Sequence, residues 1–89
     1  MNIAVFDTHV LRPDGRMMHF DIVVRDQEPD RNKDAVLTHA HRYLRAKGIP
    51  ADTLQAQECR FCHAGFASPS VEAEINRIGF AIFELQNCD

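Results

Sequence analysis

Two cysteines three positions apart, Cys59 and Cys62, with His63 directly after them, form the densest chemical feature of this sequence. Thiols at that spacing can turn toward each other and bind one metal ion or close one disulfide. As half of a zinc site they supply two thiolates, and His63 and Cys88 are the nearest residues in type for the other two positions. Zinc is therefore the expected cofactor, although a full zinc signature carries a second closely spaced pair and His63 is awkwardly placed beside Cys62. The run also satisfies the pattern for covalent c-type haem. Haem attachment needs export, however, and no signal peptide is visible, so haem is disfavoured. A redox dithiol is the alternative, with Cys59 attacking and Cys62 resolving, but the next helix starts near Pro69, too late to lower a thiol pKa. The plainer reading is that reduced thiols and a histidine pack a loop.

A second group depends on a turn. Arg12-Pro13-Asp14-Gly15 reads as a three-residue hairpin loop, with proline presetting a type I turn and glycine taking the left-handed position after it. If Arg12 faces Arg16, then Phe6 pairs with Ile22, Thr8 with Phe20 and Val10 with Met18 on one face. The other face pairs Asp7 with Asp21 and His9 with His19. That patch of two carboxylates and two imidazoles suits a hard or borderline metal, or acid/base chemistry. Polar residues alternating along a half-exposed hairpin need no function to explain them, and that plainer reading stands beside the functional one. His39 and His41, two apart on a helix, point to different sides and cannot share a ligand.

These residues sit in an expected ββαβαβ order. Strands run from Ile3 to about Leu11 and over Met18, Phe20, Ile22 and Val24. Asp30 is the expected N-cap of a helix over 30–47 that presents Val36, Leu37, Ala40, Tyr43 and Leu44 on one face and stops at Gly48 and Pro50. Residues 53–58 read as a short edge strand. Ser68-Pro69 opens a second helix carrying Val71, Ile75 and Ile78 up to Gly79. Phe80-Ala81-Ile82-Phe83 and Leu85, apolar on both faces at the start, imply a strand buried in the sheet. The expected fold is α/β (α+β): a two-layer sandwich with a four-stranded mixed sheet, an opening antiparallel hairpin and two helices on one face. The other face, open to water, suits Asp7, His9, His19 and Asp21.

With 89 residues the chain suffices for one domain, 1–89, and its 45% hydrophobic and 26% charged residues are the balance of a globular protein. A net charge of -3 repels phosphate backbones, so nucleic acid is a disfavoured partner. His39, His41, Arg42, Arg45 and Lys47 form a local basic stretch without interleaved aromatics and read as a solvated helix face. No stretch approaches the ~20 apolar residues that span a bilayer, so no membrane partner is expected. A cytoplasmic location, with reduced thiols, follows as an expectation.

The chain resembles a family of small uncharacterised bacterial proteins known as a domain of unknown function. The likeness rests on Ile3-Ala4-Val5-Phe6-Asp7-Thr8, on Met18-His19-Phe20-Asp21, on Glu58-Cys59-Arg60-Phe61-Cys62-His63 and on a cysteine near the C-terminus, Cys88. It implies no activity, cofactor or substrate, but it does imply that both residue groups belong to one recurrent domain type. It associates position 9 with an aromatic such as tyrosine, which argues against His9 as an obligatory ligand. The reading that follows is a small cytoplasmic zinc-binding domain, non-enzymatic or regulatory, held by Cys59 and Cys62 with His63 or Cys88. A thiol redox protein and a metal-free interaction module are the alternatives.

Overall fold

The computed structural model describes residues 1–50 and 54–89. Strands β1 (Asn2–Leu11) and β2 (Met17–Arg25) form the opening hairpin. The backbone N–H of Arg12 donates to Arg16 O at 2.8 Å and that of Gly15 to Arg12 O at 3.0 Å, closing the three-residue loop. Gly15 has φ +89°, a left-handed conformation that a side chain would strain. The register is the one this turn dictates: Phe6 opposite Ile22, Asp7 opposite Asp21, Thr8 opposite Phe20, His9 opposite His19 and Val10 opposite Met18.

Helix α1 (Lys33–Ala46) begins two residues later than the sequence suggests. Its N-cap is Asn32, whose side chain accepts from the backbone N–H of Asp34, so Asp30 lies outside the helix. Gly48, at φ +72°, ends it, and the backbone N–H of Ile49 returns to Leu44 O at 3.0 Å. Strand β3 (Arg60–Phe66) follows, then helix α2 (Pro69–Ile78), capped by Ser68 and stopped by Gly79, and strand β4 (Ala81–Gln86). Of the edge strand expected over 53–58, Thr53 lies outside the described residues. Ala56–Glu58 is a short 3-10 turn, and the strand itself lies further on, at β3.

The ββαβαβ order, the four-stranded sheet and the two helices are as the sequence implies. The strand order is β3-β1-β2-β4, and every pairing is antiparallel, where a mixed sheet was expected. β4 is thus an edge strand rather than a buried one, and Phe83 and Leu85 are exposed.

α1 and the sheet form the sandwich. Val36, Ala40 and Leu44 pack on Ala4, Phe6, Val10, Met18, Phe20, Ile22 and Val24, which alternate along the hairpin and so share one face. α2 joins α1 there only through Ile78 at its C-terminal end. Ile75 and Val71 pack instead on Ile3, Val5, Val23 and Ala81, at one end of the opposite face. The reason lies in strand direction. β2 and β3 are both antiparallel to β1, so they run parallel to each other and the handedness rule governs α1 between them. β3 and β4 run in opposite directions, and the rule does not constrain the helix joining them. Beyond α2, the middle and far end of the second face stay open.

Candidate metal centre

On the open face, alternation along β1 and β2 and the turn-set register bring Asp7, His9, His19 and Asp21 into one patch. One donor atom each from Asp7, His9 and His19 all lie within 4.8 Å of one another, and among the described residues this is the one such group of three or more metal-ligating side chains. His19 Nε2 hydrogen-bonds Asp7 Oδ1. His9 Nδ1 lies 4.0 Å from Asp7 Oδ2, and the two imidazoles stack with centroids 4.1 Å apart and planes 13° from parallel.

The electrostatics separate the two carboxyls. Burial alone would raise the Asp7 pKa, but hydrogen bonds with His19 and Asp21 and the charges of both histidines outweigh it and hold Asp7 below the ordinary value. Asp21 moves the other way: burial raises it first, the neighbouring Asp7 carboxylate adds to this, and His19 and His63 oppose. Asp7 is thus the carboxyl held in its anionic form, with Asp21 its partner across the strand pair.

The cysteine run is split by the sheet. Cys59 is fully buried in the core under α1, among Phe6, Val10 and Phe20. Burial pushes its thiol pKa up, with the Thr8 hydroxyl opposing. Cys88 lies in the same core, its Sγ donating to His19 O and Gln86 O at 3.3 Å each. Cys62 is exposed on β3. All three thiols are free. Cys59, Cys62, His63 and Cys88 are therefore not gathered round one point.

A β-bulge explains the placement of Cys62 and His63. Phe6 pairs with Phe61 but Val5 pairs with His63, so Cys62 is an extra residue without a partner. The slip turns His63 toward the open face, the side of Val5 and Asp7, and leaves its Nδ1 3.3 Å from Cys62 Sγ. In an unbulged strand the two side chains would point to opposite faces.

Two residues absent from the expected set border the patch. Glu58 and Arg60 join Asp7 and His9 in lining a hollow of about 290 Å³. Arg60 comes there because it opens β3 directly opposite Asp7, where the β1–β3 ladder ends, leaving the outer edge of β1 unpaired from Thr8 onward. That neighbourhood depends on the β1–β3 register, which nothing local in the sequence encodes.

A family model described as "Domain of unknown function (DUF2024)" matches residues 1–85. The chain is also similar to the NMR structure of protein NE1680 from Nitrosomonas europaea, a structural genomics target, with 34% identity over 100% of both chains and a TM-score of 0.84. No curated protein matches it. No helix among the described residues is long and apolar enough to cross a membrane.

Proposed function

The chain belongs to the DUF2024 family, a domain of unknown function, and on that premise we propose that it is a small cytoplasmic metal-binding domain, structural or regulatory in role, whose ion is held by Asp7, His9 and His19. The observation that carries this reading is the convergence of one carboxylate and two imidazoles from adjacent strands, with donor atoms within 4.8 Å of one another. Two nitrogens and one oxygen suit zinc or another divalent transition metal and leave coordination positions open. The cysteine set has no comparable support, since its members lie on both sides of the sheet.

Ligation asks for a local change. Donors each about 2.1 Å from one zinc ion lie at most about 4.2 Å apart, so the widest separation in the group must close slightly. The lone pair of an imidazole nitrogen lies in its ring plane, so two nearly parallel stacked rings cannot aim at one ion. His19 is held by Asp7, whereas the side chain of His9 is about half exposed, at 51%, and is free to swing out of the stack. His9 is thus the adaptable ligand, and the ion takes the place of the proton shared by His19 Nε2 and Asp7 Oδ1, a bond that holds those two side chains side by side.

Titration of the chelator-treated chain with zinc, followed by calorimetry and native mass spectrometry, tests this. One equivalent is expected to bind. Asp7→Asn and His19→Ala each weaken it by at least about tenfold, since even outer-shell changes at metal sites cost roughly 10–100-fold. Cys59→Ser with Cys62→Ser leaves the stoichiometry unchanged. Full binding by His19→Ala, or loss confined to the cysteine variant, overturns the assignment.

A further inference from the structure

We infer that the hollow between His9 and Arg60 seats a small carboxylate, which takes the open positions on the ion and the Arg60 guanidinium at once. This rests on the metal reading above and specifies its ligand. The hollow is lined by Asp7, His9, Glu58 and Arg60, so two of the three proposed metal ligands and the arginine border the same space. Arg60 is an exposed cation beside two carboxylates, yet among the described residues it makes no ion pair, and the contacts of Asp7 go to His19 and His9 instead. Its planar fork of N–H donors matches a carboxylate in two-point contact.

Charge narrows the ligand. The hollow, at about 290 Å³, lies just under the ~300–1,000 Å³ of clefts that take drug-sized molecules and seats a small carboxylate with room to spare. With a divalent ion in place, the lining carries one net positive charge, because Asp7 and Glu58 offset two of the three positive charges that the ion and Arg60 supply. A monoanion neutralises that, whereas a second negative charge on the ligand would leave the hollow net negative, with Asp21 beside Asp7 adding to the repulsion. The shape has a structural cause: β3 stops at Arg60 while β1 runs on to Leu11, so a notch opens at the sheet edge beside His9.

The test titrates the zinc-loaded full chain with acetate, with inorganic phosphate as a second arm, and follows backbone amide resonances by NMR. Acetate is expected to shift the resonances of His9 and Arg60 saturably, and more tightly than phosphate does. Arg60→Gln weakens acetate about tenfold or more, the scale of one charge-assisted contact, while zinc affinity stays unchanged. Zinc binding with no acetate response, or an unchanged acetate response in Arg60→Gln, overturns this inference and leaves the metal reading standing. Phosphate binding tighter than acetate overturns the choice of a monoanionic carboxylate. Failure of the chain to bind zinc at all removes the metal reading itself, and the zinc titration alone reveals that case.

Discussion

At the scale of single residues, spacing along the chain proved a poor guide to what a side chain faces. Cys59 and Cys62 are three positions apart, but Cys59 is buried just before β3 while Cys62 is the unpaired residue of its bulge, so one is in the core and the other in solvent. Reactivity should follow. Iodoacetamide under native conditions is expected to add one group, at Cys62, and all three cysteines should react only after denaturation, which peptide mass spectrometry resolves. Cys59 combines full burial with a raised thiol pKa, so it should be slow even at alkaline pH. Labelling of Cys59 as fast as Cys62 would contradict this placement and revive the dithiol alternative. The polar residues of the hairpin behaved oppositely: Asp7 and His19, twelve positions apart, are hydrogen-bonded neighbours.

Among the elements, the hairpin turn governs the site. Gly15 at φ +89° and the Arg12–Arg16 bond set the register that pairs His9 with His19, and a loop one residue shorter would shift the pairing by one and put the two histidines on opposite faces. Gly15→Ala should cost about 1 kcal/mol, because the added Cβ is strained at positive φ although nothing lies within 4 Å of it. A urea midpoint lowered to that extent, with zinc affinity preserved by the rest of the ladder, is the expected result. An unchanged midpoint would show that the turn does not hold this conformation. The hairpin was legible in the sequence because proline and glycine act locally. The bulge at Cys62 was not, for it is a register shift between β3 and β1, strands about sixty residues apart.

Over the whole molecule, α1, β4 and the chain end are tied together by charge. Lys47 Nζ lies 2.7 Å from Glu84 and also donates to Cys88 O, Tyr43 hydrogen-bonds Glu84, and Arg12 donates to Asn87 O at 2.6 Å. The Lys47 contact first, then that of Tyr43, holds the Glu84 pKa below the ordinary 4.5. A depressed carboxyl pKa contributes stability that is fully present above 4.5 and is lost as pH falls through the lowered folded value. The wild type should therefore melt above Glu84→Gln at neutral pH, with the gap closing in acid. A gap constant from neutral to strongly acid pH would exclude this origin. The residue sequence by itself determined the class, the element order, the hairpin register and the helix stops, because turn chemistry and apolar periodicity act over a few residues. Only the tertiary structure decided that the sheet is wholly antiparallel, that α2 crosses to the second face, that the cysteines part and that Arg60 meets Asp7. Each of those follows from which strands become neighbours, and that choice is made by burying the whole set of apolar faces at once rather than by any local stretch of chain.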